Sequence, residues 1–254
     1  MKILLLGDVH AQHALLARHL ARWQREYGLD ACIQVGDFGF FKRHWGRSTV
    51  SFPIPVHAIC GNHEDHRWLR KANTRGLLAA WSQRGLIYQP RGSVLELGGT
   101  CIGFLGGALN IDRPQRGFRR WQTTNYILEQ ETDAALHAFD RLRPQLIVTH
   151  SCPGDIGIGM RGNPALALDV LRHITWAGFS AGPQDDCGEQ ELTRLWQGLN
   201  YHPACWIFGH FHQHRDVQID QTRFLCVPCF ESGEPLAIYD TEAACLALVP
   251  QTAV

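Results

Sequence analysis

The sequence contains no apolar run approaching the about 18 residues that a membrane-spanning helix requires, so no membrane span is expected. It has no surplus of either charge, because 24 Lys and Arg face 24 Asp and Glu. A strongly basic chain would point to a nucleic-acid backbone as partner. The balance argues against that for the chain as a whole and leaves a local basic patch open. Internal repeats, low-complexity tracts and a clear linker are also missing, which excludes repeat architectures and favours one unit. The start, Met1-Lys2-Ile3-Leu4-Leu5-Leu6-Gly7-Asp8, lacks the length and cleavage site of a signal peptide. The nine cysteines are odd in number, and several sit inside apolar runs where Cys behaves as a small buried hydrophobe. Reduced thiols and a cytoplasmic location are the expectation. Cys226-Val227-Pro228-Cys229 has the spacing of a zinc or redox pair. It lacks two further soft ligands and lies in a strand region, so it is read as two structural thiols.

What is present is a chain of 254 residues, 45% hydrophobic, enough for one large α/β domain. Ile3 to Leu6 is a continuous apolar run, as expected of a strand buried on both faces. Leu15, Leu16, Leu20 and Trp23 then recur at helical spacing, and Gly28 closes that helix. Further strands are expected at 31–35, 54–60, 86–88, 94–97, 101–105, 146–149, 205–208, 224–227, 236–239 and 245–249. Helices are expected over 63–84 with a break near Gly76, and at 124–141, 165–173 and 189–198. The order begins βαβαβ and becomes strand-rich, which predicts an α/β sandwich of two mixed sheets flanked by helices. The Gly- and Pro-rich stretch at about 151–190 reads as a loop insertion in a single domain covering residues 1–254.

Polar residues punctuate the strand ends. Gly7-Asp8-Val9-His10 follows the first strand, Gly36-Asp37 the second and Gly61-Asn62-His63-Glu64 the third; His150 and Gly209-His210-Phe211-His212 end two later strands. Ligands of open α/β sheets bind beyond the carboxyl ends of the strands, so five ends converge on one place. Asp, His and Asn are ligands of the hard-to-borderline kind. Asp8 and His10 are two residues apart and point the same way in an extended segment, as do His210 and His212. A carboxylate such as Asp37 can bridge two cations, and a metal pair can clamp the attacking and leaving oxygens of a phosphate.

These motifs, in this order over residues 8–212, resemble the five signatures of calcineurin-like metallophosphoesterases. The resemblance implies two divalent metal ions, manganese first, with iron, zinc or nickel as alternatives. Asp8, His10 and His212 would hold one metal, Asn62, His150 and His210 the other, and Asp37 would bridge. It further implies His63 as the catalytic histidine near the leaving group, with Glu64 orienting it. The implied reaction is hydrolysis of a phosphate ester, first of all a phosphodiester, by in-line attack of a metal-bridging hydroxide. The family's second motif usually continues to a polar residue where Phe40 stands here. That departure touches a substrate contact, for which Arg43 or Arg47 in the following loop is the candidate replacement. The stretch Gly106-Gly107-Ala108-Leu109-Asn110-Ile111-Asp112, followed by Arg116 and Trp121, resembles small bacterial and phage members. Arg116 is a candidate for bidentate phosphate binding.

Rival readings stay open. A phosphomonoesterase acting on a phosphoprotein or nucleotide would use the same centre. A non-catalytic binding module on the same fold should have lost ligands or the catalytic histidine, and here all are present. A metallo-β-lactamase-type centre needs a His-x-His-x-Asp-His run, which is absent. The partner class is a phosphate ester, with a nucleotide or nucleic-acid end among the candidates. Nine further histidines, His13 and His66 among them, are read as structural or surface residues, His66 being close enough to His63 to reach the pocket.

Overall fold

A computed structural model describes residues 1–45, 48–109, 126–154 and 188–251. Twelve strands are assigned among them: β1 (Lys2–Leu6), β2 (Ala31–Gln34), β3 (Val56–Ala58), β4 (Leu86–Tyr88), β5 (Ser93–Leu97), β6 (Thr100–Leu105), β7 (Leu146–Thr149), β8 (Cys205–Phe208), β9 (Arg215–Ile219), β10 (Thr222–Cys226), β11 (Leu236–Asp240) and β12 (Cys245–Val249). The helices are α1 (His13–Tyr27), α2 (Lys42–Trp45), α3 (His66–Thr74), α4 (Leu77–Ser82), α5 (Glu129–Leu142) and α6 (Gln190–Gly198).

The strands form two six-stranded sheets, ordered β12-β11-β1-β2-β3-β4 and β5-β6-β7-β8-β10-β9. In the first, β1 to β4 run parallel, and β11 and β12 are added antiparallel. In the second, β6, β7, β8 and β10 run parallel between the antiparallel edges β5 and β9. Mixed sheets with helices on their outer faces confirm the expected α/β sandwich.

Side-chain alternation along the strands builds three apolar layers. Ile3 and Leu5 of β1 point inward and meet Ile102, Phe104, Val148 and Ile207 of the other sheet. Their neighbours Leu4 and Leu6 point outward and pack against Leu16, Leu20 and Trp23 of α1. On the far side Ile147, Trp206 and Phe224 receive Phe139 of α5 and Leu195 of α6. Both faces of the central strands are therefore covered, which is why they read as continuous apolar runs. Gly28 ends α1 at φ 68°, a left-handed position where its N–H reaches Gln24 O.

The structure differs from the sequence expectation in places. The third strand shrinks to Val56–Ala58, and α5 starts at Glu129. The edge strand β9 and the single turn α2 were not anticipated. The helix expected at 165–173 lies outside the described residues. The eight described cysteines are all free thiols. Among the described residues no helix is long and apolar enough to cross a membrane.

Ile207 is fully buried between the sheets. Ile207→Ala is expected to cost about 2–5 kcal/mol in chemical denaturation. Leu248→Ala, on the exposed edge strand β12, should stay within about 0.5 kcal/mol. Equal effects at the two sites would contradict the layer assignment.

Candidate metal centre and active site

The five strand ends identified from the sequence meet at one point. β1, β2 and β3 of the first sheet and β7 and β8 of the second all direct their carboxyl ends there. Asp8, Asp37, Asn62, His150 and His210 are buried, His63 is half-buried, and His10 and His212 face solvent. The centre thus has a buried floor and an open rim.

Its distances are short throughout. His10 Nε2 lies 3.1 Å from His212 Nε2, and His212 Nε2 lies 3.3 Å from Asp8 Oδ1. His150 Nε2 stands 3.1 Å from Asn62 Oδ1, 3.4 Å from Asp37 Oδ1 and 3.9 Å from Asp8 Oδ1. The ring of His210 is centred 5.0 Å from that of His150. Two triads have ligand atoms mutually within 4.8 Å: Asp8 with His10 and His212, and Asp8 with Asp37 and His150. Asp8 thus borders both groups.

Backbone geometry sets these positions. His10, Asp37, His210 and His212 adopt φ of 47°, 52°, 68° and 52°, a left-handed conformation that L side chains rarely take. Such strain persists only where the surroundings over-determine it. Here His10 N donates to Asp37 O at 2.8 Å, and His63 N donates to Asp37 Oδ1 at 2.7 Å. His210 N donates to Asp8 Oδ2 at 3.1 Å. A side chain on Gly36 would collide with the His150 ring, and one on Gly61 with the Asp37 carboxylate. These glycines are needed because the ligand side chains fill the space a Cβ would occupy.

His150 Nδ1 lies 2.8 Å from Val35 O. A carbonyl can only accept, so Nδ1 carries the proton and Nε2 faces the carboxylates. Burial works against ionising Asp37, but the charge of His150, then of His63, outweighs it and holds the carboxyl well below its usual range. Burial likewise disfavours charge on His150, and Asp37 beside it reverses this, raising it to about 10. Without a cation, a proton on His150 supplies the positive charge that the two carboxylates demand. For His210 burial, then the charge of His150, outweigh the pull of Asp37 and Asp8 and lower it to about 3.

The residues fit a divalent cation. Ligands about 2.0–2.2 Å from one ion are separated by roughly 3.0–3.4 Å, which matches the spacings above. Two imidazole nitrogens face each other, where an ordinary hydrogen bond would satisfy only one proton. Asp8 Oδ1 is buried yet accepts no hydrogen bond. A buried carboxylate oxygen without a donor is costly unless a cation meets it.

The remaining candidates fall around this centre. His63 stands at the rim, its Nε2 3.7 Å from Asp37 Oδ2 and its ring 5.5 Å from that of His10. The Glu64 carboxylate accepts from the amides of Gly39 at 3.3 Å and Phe40 at 2.5 Å, so it anchors the loop that follows Asp37. Burial, then the charge of Asp37, push Glu64 well above the usual carboxylate range. Phe40 leaves the site for the core, stacking on Trp81 at 5.8 Å and meeting Tyr88 edge-on at 5.4 Å. Arg43 lies on α2, with its guanidinium over Phe41 and Nε 3.0 Å from His44. Arg47, Arg116 and Trp121 lie outside the described residues.

Several supports escaped the sequence reading. The Gln34 amide closes on the backbone N–H and carbonyl of Gly36. His66 Nε2 lies 2.9 Å from Gly61 O, and His13 Nε2 lies 2.9 Å from Phe38 O. Glu189 is buried, accepts from Leu109 N and is raised to about 7 by burial. The His13 and Glu189 contacts join segments that meet only after folding, while those of Gln34 and His66 close local turns that no motif of the sequence marks.

Among solved structures, a candidate 5′-nucleotidase from Staphylococcus aureus aligns over 100% of this chain and 54% of its own, with 14% identity and a TM-score of 0.54. An archaeal phosphodiesterase aligns over 99% of this chain and 100% of its own, with 13% identity and a TM-score of 0.42. The phosphopantetheinyl hydrolase of Mycobacterium tuberculosis aligns over 100% and 98%, with 15% identity and a TM-score of 0.44. Such identities speak to fold alone. Comparison with curated protein sequences gives no match. The family description "calcineurin-like phosphoesterase" matches residues 1–214, the span that carries all five strand-end motifs, and the chain belongs to that family.

Proposed function

We propose that residues 1–254 form one metallophosphoesterase domain that hydrolyses a phosphate ester with two divalent ions, manganese being the first to test. A phosphodiester is the leading substrate class and a phosphomonoester the second. The observation that carries this reading is the unsatisfied, buried Asp8 Oδ1 among imidazole nitrogens at ligand spacing. Asp8, His10 and His212 would hold one ion; Asn62, His150 and His210 would hold the other; Asp37 would bridge them. When bound, such a pair neutralises phosphoryl charge and lowers the pKa of water.

The chain's own residues supply the rest. Asp37 is oriented by the His63 amide, so the bridging carboxylate and the rim histidine move as one unit. His63, half-buried at the rim, is placed to give a proton to the departing oxygen. Glu64 fixes the 39–40 backbone and through it the angle of Asp37.

Three outcomes test this reading. Asp37→Asn should reduce turnover of a chromogenic phosphodiester with Mn²⁺ by at least about a hundredfold, about 2.7 kcal/mol in barrier. Activity near wild type would sink the mechanism. His63→Gln should lower kcat by about 10²–10⁴-fold while elemental analysis finds undiminished manganese, because His63 is assigned to proton transfer and not to holding metal. Loss of metal together with activity would reassign it. Mn²⁺ at about a hundred times its Kd should stabilise the fold by about 2.7 kcal/mol, seen as a rise in Tm. Asp8→Asn should abolish that rise, and a variant that still responds fully would remove Asp8 from the ligand set.

A further inference from the structure

The net charge of zero conceals a strong internal division. Residues 38–95 carry nine Lys and Arg against two carboxylates, leaving fifteen against twenty-two in the remainder. Among the described residues neither of those carboxylates forms an ion pair with a basic side chain. Glu64 is buried on the amides of Gly39 and Phe40, and Asp65 caps α3 by accepting from Trp68 N at 2.9 Å.

Six of the nine, Lys42, Arg43, Arg67, Arg70, Lys71 and Arg75, lie on α2 or α3 or at the end of α3, whereas Arg91 is paired with Glu131. α2 follows the Asp37 loop, and α3 begins directly after His63 and Glu64. His66, Leu69 and Ala72 of α3 are buried, which turns Arg67, Arg70 and Lys71 outward, with Arg75 at the C-cap. Arg67, Lys71 and Arg75 follow one another at steps of four residues, about 5–6 Å apart on one helix face. Nine residues of helix carry this row about 13 Å from the site. Among the described residues, Lys42, Arg67, Arg70, Lys71 and Arg75 form no ion pair with a carboxylate. The two helices start side by side, Asp65 N donating to Phe40 O at 3.2 Å, and Trp45 of α2 and Trp68 of α3 both pack on Trp81, at 5.8 and 5.4 Å; Phe41 and Trp68 are half-exposed. A basic track with interleaved aromatic faces suits a strand whose phosphates need cations and whose unpaired bases need stacking surfaces.

We propose that the α2–α3 face, with Lys42, Arg67, Arg70, Lys71 and Arg75 around Phe41 and Trp68, docks a single-stranded nucleic acid and leads it to the metal centre. The inference rests on the phosphoesterase reading for its purpose, while the docking itself is measurable without turnover.

The probe is a fluorescent oligothymidylate of about 12 nucleotides, within the range such grooves cover. Its phosphorothioate backbone resists hydrolysis, and binding to the Mn²⁺-loaded protein is followed by anisotropy across a salt series. Wild type should bind with log K falling linearly in log salt. The variant Arg67→Gln, Arg70→Gln, Lys71→Gln, Arg75→Gln should lose at least about tenfold in affinity, and its slope should shrink by about 3, at about 0.7 per lost contact. Arg67→Lys, Arg70→Lys, Arg75→Lys keeps the charge and should bind as wild type, which separates charge from misfolding. Unchanged affinity and slope in the Gln variant overturn the proposal. So does equal or tighter binding to phosphatidylserine vesicles that is lost in the same variant, which would assign the face to a lipid surface. Hydrolysis of a small chromogenic diester by wild type is measured in parallel. Turnover without oligonucleotide binding defeats the docking face alone. Binding without turnover of the small diester or of the same oligothymidylate with ordinary phosphodiester links supports the face and defeats the phosphoesterase reading.

Discussion

Asp8 and Asp37 end adjacent parallel strands, and both carboxylates are buried within reach of the same imidazole, His150. Two like charges so placed disfavour one another, and each loses water that the interior replaces incompletely. The backbone amides of His63 and His210 and the ring of His150 offset part of this cost. One oxygen of Asp8 remains without a donor. The surrounding fold can be understood as the frame that makes so unfavourable a pair tolerable. Four left-handed residues around the pair add strain of order 1–3 kcal/mol each. A core packed in three layers holds them there.

That frame was the most legible part of the sequence. Strands buried on both faces leave few polar positions, so β1, β7 and β8 stood out as apolar runs, while β2 carries one buried polar residue, Gln34. β9 was missed for the opposite reason. Its residues Arg215-Asp216-Val217-Gln218-Ile219 lie at a sheet edge, largely exposed, and carry charge that protects the edge from further pairing. Which sheet each strand joins was also hidden. β4 and β5 are neighbours in sequence, yet they belong to different sheets, with the crossing made through Gln89 to Gly92. Local pattern reports burial, and it does not report the partner.

The candidate site was legible to the depth of one shell. Asp, Asn and His after buried strands are conspicuous because nothing in the strand pattern calls for them, and the structure brings them together. The supports behind them follow no such rule. Gln34 and His66 close on the backbone of their own turns at Gly36 and Gly61, and His13 reaches Phe38 O only once the first two strands have paired. Phe40 and Glu64 show the interplay most clearly. The position where a polar follower was expected faces the aromatic core instead, and Glu64, arriving from the next motif, takes the two amides that this turn exposes.

Charge follows a similar logic on a larger scale. Whole-chain neutrality argued against a polyanionic partner, but that argument holds only when charge is evenly spread. Here the two acids in the segment after Asp37 are turned onto backbone amides, while Lys42, Arg67, Arg70, Lys71 and Arg75 stay in solvent. With a Debye length of about 8 Å at physiological salt, an approaching anion responds to the local face and not to the total. The balancing acids are carried by the rest of the chain, so the α2–α3 face presents a positive field beside a centre that itself demands cations. With divalent ions in that centre, a phosphate chain bridging the two would meet favourable charge along its whole length, and a neutral total is no obstacle to that.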